Sequence, residues 1–208
     1  MMAAPAIAGA AVDSATFAAP AHPDAAARAS FARYGAALLI ASWTMLGLAI
    51  YLAFIYLDGL NTMGQFKPHS EPTPSTLGNV LLTVAAIAAA AAWSWGYRRT
   101  RGGHAERARA GVVIGWLITL AGFVGTLIVF GGLNEPVPLH AYASSISLFV
   151  LFHAWHLIAA LVIGLLVLGR LFKGRIGGRE YVIQVVGWWL WYTAALAVVA
   201  LVLIETIS

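Results

Sequence analysis

Five runs of apolar residues in this chain are each long enough to cross a lipid bilayer as a helix. They cover residues 34–57, 77–97, 110–133, 142–169 and 182–204. A bilayer core about 30 Å thick requires about 20 residues of helix, and a helix satisfies its own backbone hydrogen bonds inside lipid. All eight prolines lie outside the runs. The sequence therefore predicts an all-α, polytopic membrane protein, built as a five-transmembrane-helix bundle.

The composition excludes a water-soluble domain. Charged residues make up 10 % of the chain and hydrophobic residues 61 %, whereas about 25 % of the residues in soluble domains are charged. The net charge of +4 comes from basic residues in short connections between the runs, where they set topology, so we predict no nucleic-acid partner. The absence of cysteine excludes disulfides, thiolate metal sites and a cysteine nucleophile.

The distribution of lysine and arginine predicts the orientation. Of the 12 basic residues, 11 lie on the side of the amino-terminal tail, and only Lys67 lies on the other side. Cytoplasmic loops carry such an excess, so we predict a cytoplasmic N-terminus and, after five spans, a C-terminus outside. Residues 1–33, rich in alanine and proline, are predicted to form a flexible cytoplasmic tail, and residues 34–208 the membrane domain.

Small residues indicate where the predicted helices pack against each other, because glycine lets helix backbones approach closely in lipid. Gly111, Gly115, Gly122 and Thr126 share one face of the third predicted helix. We therefore predict that this face contacts protein. Aromatic residues mark the predicted cytoplasmic end of the second helix, where they are typical of an interfacial belt: Trp93, Trp95 and Tyr97.

Two histidines, His153 and His156, are the main candidates for chemistry within the spans. No Asp, Glu, Lys or Arg lies deep in a run, which disfavours a transporter or channel. One interpretation is metal or haem ligation, but a metal site needs three or four ligands. A haem held by two histidines needs them on opposite faces of its ring. The alternative, which we favour, is a pair of neutral histidines that hydrogen-bond within or between subunits.

Two further features each leave two interpretations. Glu135, at the end of the third run, is either a buried carboxylate at a subunit contact or a solvated helix-terminal residue. Trp188, Trp189 and Trp191 lie in the cytoplasmic half of the last run. They either line a lipid or partner contact or anchor the helix at the interface. No phosphate-binding loop, serine nucleophile motif or zinc-protease motif is present, so we predict no catalytic residue.

The fourth run resembles a helix of haem–copper oxidase subunit III, in the short five-helix bacterial form of that family. Residues 142–170 read YASSISLFVLFHAWHLIAALVIGLLVLGR, and Phe152, His153 and His156 match the family's Phe-His-x-x-His core. Glu135 resembles the family's glutamate at that place. Residues 72–93 resemble its entry to the second helix, which is rich in threonine and leucine after a proline.

The resemblance implies an accessory subunit without haem or copper, in the bacterial cytoplasmic (inner) membrane. Such a subunit packs beside the catalytic subunit I and subunit II of a cytochrome c or quinol oxidase, which carry the haem and copper. It also binds phospholipid and supports proton and oxygen supply during aerobic electron transport. The alternatives are an accessory subunit of a nitric oxide reductase and a small membrane b-type cytochrome that uses His153 or His156.

The chain departs from the family pattern at two places. Trp43 stands where the family's first helix carries a glutamate, after Ser42 and before Met45. Residues 181–184 read Tyr-Val-Ile-Gln, where the family's last helix opens with His-Phe-Val-Asp. The lipid and proton-uptake roles depend on the family's polar residues at these two places. Packing beside a partner subunit requires only a surface of complementary shape.

Overall fold

The computed structural model describes residues 24–61, 66–67, 74–131, 141–177 and 179–207. Within these ranges the chain forms five α-helices and no strand. The helices are α1 (Ala25–Gly59), α2 (Thr76–Arg101), α3 (Ala105–Gly131), α4 (Ala141–Phe172) and α5 (Tyr181–Ile207). All five are long and apolar enough to cross a membrane. For the described residues, the predicted all-α fold with five helices long and apolar enough to span a membrane is confirmed.

The helices continue beyond the apolar runs. α1 begins at Ala25 rather than at residue 34, because the alanine-rich segment before the run has high helix propensity. Residues 25–33, which the sequence placed in the flexible tail, are therefore helical. α2 continues to Arg101, since arginines in the last turn interact favourably with the helix dipole. Gly103, with φ of +73°, then allows the short turn into α3.

The helices alternate in direction. At one end of the bundle, Arg33 Nε on α1 donates to Gln184 Oε1 on α5 over 3.0 Å. At the opposite end, Thr76 Oγ1 on α2 donates to Glu205 Oε2 on α5 over 2.9 Å. The two bonds therefore join neighbouring helices at their ends, and the start of α1 and the start of α5 share one end of the molecule.

α4 and α5 lie at the centre of the packing, because each contacts three other helices. α2 packs along α3 and α5, and α4 packs against α3, α5 and α1. α1 lies at the edge, against α4 and α5, and buries only Gly47, Tyr51 and Phe54 of its 35 residues. Large apolar side chains such as Leu38, which is 71 % exposed, cover its outer face. That face has the character of a lipid-facing surface.

Glycines bring α2 and α3 into backbone contact. A Cβ atom built on Gly111 would lie 2.6 Å from Gly96 Cα. A Cβ on Gly115 would lie 3.1 Å from both Ala89 O and Trp93 N. Real Cβ atoms essentially never approach other atoms as closely as the first of these distances. Close approach of this kind is how helices associate in lipid, where the hydrophobic effect provides little attraction between them.

Tryptophan N–H groups connect neighbouring helices. Trp93 Nε1 on α2 donates to Ile183 O on α5 over 2.8 Å, and Trp116 Nε1 on α3 donates to Leu161 O on α4 over 3.0 Å. The prediction that Trp93 belongs to an interfacial belt is wrong, because its side chain is 1 % exposed and lies among α2, α3 and α5. Small residues around it leave room for an indole in the core.

Candidate functional site

His156 on α4 is completely buried and is held by its own helix. Its side chain is 0 % exposed, and Nδ1 lies 2.6 Å from Phe152 O, one turn earlier. A carbonyl oxygen only accepts hydrogen bonds, so Nδ1 carries the proton and Nε2 carries the lone pair. Nε2 is buried and has no hydrogen-bond partner within the described ranges. The neutral tautomer is therefore fixed by local helix geometry.

Aromatic rings from three helices enclose this imidazole. The Trp189 ring on α5 stacks on it at 4.9 Å and 19°, and the Trp43 ring on α1 meets it edge-on at 5.0 Å. Phe152 and Tyr192 complete the enclosure at 4.5 and 5.4 Å. We call Trp43, Phe152, His156, Trp189 and Tyr192 the His156 cluster. Such contacts contribute roughly 0.5–1.5 kcal/mol per pair beyond burial.

Two backbone features position the His156 cluster. Trp189 Nε1 donates to His156 O over 3.0 Å, which joins α5 to α4 at the level of the imidazole. On α1, Gly47 lies beside Phe152, and a Cβ at Gly47 would be 3.3 Å from that ring. The absence of a side chain there lets α1 come close enough for Trp43 to reach His156. The cluster thus connects α1, α4 and α5.

His153 lies in different surroundings, although it is only three residues away. It is half-buried and lines a partly open cavity of about 60 Å³, to whose wall all five helices contribute residues. Its polar neighbours in the cavity wall come from the other helices, and they include Tyr51 on α1, Asn79 on α2 and Thr126 on α3. His153 and His156 therefore do not converge on a common ligand position.

The remaining predicted site residues are separate from the two histidines. Gly115 lies against α2, whereas Gly122 has more space, since a Cβ there would be 4.0 Å from Ala85 Cβ. Trp188 is 36 % exposed on the outside of α5, while Trp189 is 8 % exposed and faces inward. Interfacial anchoring therefore does not describe Trp189. Glu135 lies outside the described residues.

Sequence reasoning did not assign a structural role to Trp43 or Gly96. The sequence analysis identified Trp43 only as a departure from a family pattern. Its contact with His156 depends on how α1 packs against α4. Gly96 lies in an alanine-rich helix, so one more small residue does not distinguish the packing face of the helix from its other faces. Its partner Gly111 was recognised by its helical spacing with other glycines.

No group of three or more His, Asp or Glu residues that could hold a metal ion occurs in the described part of the chain. The imidazole Nε2 of His156 has a lone pair that is chemically able to bind a metal or a proton. The rings of Trp43, Trp189 and Phe152 instead occupy the space around it. Chemically, the cluster is suited to fixing the relative positions of three helices.

No protein-family model matches the chain. No curated protein sequence matches it either.

Proposed function

We propose that this chain is the accessory, cofactor-free subunit III of a respiratory terminal oxidase. In this proposal it lies in the bacterial cytoplasmic membrane with its N-terminus inside and its C-terminus in the periplasm. It packs beside subunits I and II, whose haem and copper centres reduce oxygen. The resemblance implies contributions to assembly, lipid contact and the supply of protons and oxygen; lipid contact and proton supply depend on polar residues of the family that this chain lacks, so its main contribution is to assembly.

The contact between Trp43 and His156 is the observation that carries the proposal. His156 belongs to the Phe-His-x-x-His segment. Residue 43 is the position at which the family that the chain resembles has a glutamate. Both positions were recognised by sequence pattern alone, in helices far apart in the chain. Their rings lie 5.0 Å apart in the core. This contact supports the resemblance, and a tryptophan in place of an acid favours a packing role over a proton-carrying role.

The enclosure of the histidines argues against a b-type cytochrome. Aromatic rings surround His156, and the cavity of about 60 Å³ beside His153 is far smaller than a porphyrin. We therefore expect the purified chain to show no haem Soret band. A pyridine haemochrome spectrum of chain expressed in a haem-sufficient host would measure this. A Soret band that disappears in His153→Ala or His156→Ala would instead establish the cytochrome.

The basic residues support the proposed orientation. Reporter fusions placed after Arg101 and after Arg175 should be active in the cytoplasm, and a fusion after Ser208 should be active only in the periplasm. The fusion after Arg175 serves as an internal control. Two spans separate Arg175 from Arg101, so both fusions are predicted to lie on the same side of the membrane. A cytoplasmic C-terminus would contradict both the orientation and the proposed subunit.

The proposed partners provide the most direct test. An affinity-tagged chain, purified from its own membranes in mild detergent, should co-purify with a haem–copper catalytic subunit that mass spectrometry identifies. Deletion of the chain should leave the haem spectrum of that subunit nearly unchanged, because the chain supplies no ligand to it. Oxygen consumption should fall or decay faster over successive turnovers.

Two other results of the same purification would change or refute the proposed function. Co-purification with a nitric oxide reductase would move the chain to that complex. Recovery of the chain alone from fully solubilised membranes, with respiration unaffected by the deletion, would refute the accessory role.

A further inference from the structure

The cavity beside His153 is a candidate binding site that the proposed accessory role does not use. It lies in the half of the bundle that contains the end of α1 and the start of α2, and residues of all five helices line it. Most of the lining is aliphatic or aromatic, including Phe149 and Phe152. Polar side chains also reach it from four helices, so it is not a simple packing defect.

The polar groups around the cavity are only partly satisfied by the protein. Tyr51 Oη donates to Leu196 O over 3.1 Å, and Thr126 Oγ1 donates to Gly122 O over 2.8 Å. Each of these hydroxyl oxygens still has lone pairs to accept a hydrogen bond. The Asn79 side-chain nitrogen has no partner in the described ranges. The hydroxyl oxygens of Tyr51 and Thr126 therefore retain acceptor capacity beside the cavity.

The imidazole of His153 is a further polar group in the cavity wall. A neutral imidazole has one N–H donor and one acceptor nitrogen, and neither forms a hydrogen bond within the described part of the chain. In a membrane-spanning helix there is no bulk water to satisfy them, and an unpaired polar group in an apolar environment costs on the order of 2–7 kcal/mol. His153 thus requires a small polar partner where it faces the cavity.

We propose that this cavity is a site for bound water, which joins His153 to the polar side chains of α1, α2 and α3. A water molecule needs about 10–15 Å³ of cavity volume and two to four polar partners. The cavity volume of about 60 Å³ accommodates more than one molecule. The bound water satisfies His153 and connects four helices through hydrogen bonds. The adjacent His156 cluster, by contrast, is filled by aromatic rings.

Hydroxyl-radical footprinting by X-ray radiolysis tests this site, because radicals formed from bound water modify the side chains beside it. The whole chain would be reconstituted in lipid nanodiscs, and modification would be measured by mass spectrometry. Phe149 and Phe152, which line the cavity, should be modified several-fold faster than Trp93. Trp93 is also buried, at 1 % exposed, but does not line the cavity.

Two variants on α5 make the test specific. Ala200→Leu places a side chain into the cavity and should reduce modification of Phe149 and Phe152 to the level of Trp93. Ala195→Leu adds the same atoms on the exposed side of the helix and should leave the modification unchanged. If Ala200→Leu does not fold, His153→Leu should give the same loss, since it removes the group that holds the water.

Either of two results would overturn the proposal. Wild-type Phe149 and Phe152 as unreactive as Trp93 would mean that the cavity is dry or filled by lipid. Equal modification in Ala200→Leu and wild type would mean that the radicals arise elsewhere.

Discussion

Gly111→Ala should separate α2 from α3 and destabilise the bundle by about 1–3 kcal/mol or more, the range for forcing extra atoms into a packed core. The added Cβ would lie 2.6 Å from Gly96 Cα and 2.7 Å from Gly96 N. These are backbone atoms, so no side-chain rotation relieves the clash and the helices must move apart. The measurement is the thermal unfolding midpoint of the purified chain in detergent.

Gly122→Ala is the matched control, because it makes the same change on the same helix. Its Cβ would meet only Ala85 Cβ at 4.0 Å, an ordinary contact. We expect an unfolding midpoint close to that of wild type. Gly115→Ala should be intermediate, since its Cβ approaches Ala89 O and Trp93 N at 3.1 Å. Equal stability of the Gly111 and Gly122 variants would mean that the α2–α3 contact is looser than the structure has it.

The number and approximate position of the helices were predictable from hydropathy. A spanning segment in lipid must satisfy its backbone internally, so a long apolar run has essentially one available structure. The helix ends were not predictable in this way. The start of α1 at Ala25 depends on helix propensity in a polar, alanine-rich segment, and hydropathy does not measure propensity.

The packing faces were predictable only where small residues mark them. These helices are apolar on every side, so the contrast between inward and outward faces is weak. The spacing of Gly111 and Gly115 was sufficient to locate one contact. A tryptophan near a helix end commonly lies either in the interfacial belt or in the protein core. The sequence analysis placed Trp93 in the belt, whereas it lies in the core. Which one it occupies depends on the neighbouring helices, here on the nearby Gly164 and Gly187, beside which its ring fits.

The different surroundings of the two histidines could not be deduced from α4 alone. Residues three apart lie on similar faces of a helix, which led the sequence analysis to treat His153 and His156 as a pair. The structure separates them because α1 and α5 converge on His156, whereas the five helices leave a gap beside His153. The difference arises from tertiary packing, and it gives the two residues different expected roles.

His156→Ala should destabilise the bundle by about 2–5 kcal/mol, as buried large-to-small substitutions do. The change removes a completely buried ring and leaves space between Trp43 and Trp189. It also removes the hydrogen bond to Phe152 O, a net loss of about 1 kcal/mol. His153→Ala is the matched control on the same helix, and it should cost much less because His153 already borders a cavity. Unfolding midpoints of the two variants provide the comparison.

His156→Phe distinguishes a packing role from a chemical role. Phenylalanine keeps a ring between Trp43 and Trp189 and removes the unpaired Nε2, so we expect stability within about 1 kcal/mol of wild type. If the chain is the proposed accessory subunit, the complex containing His156→Phe should assemble and consume oxygen at the wild-type initial rate. A variant that assembles fully but is immediately inactive would place the His156 nitrogen in a reaction path. The accessory proposal would then be wrong, even with every packing contact intact.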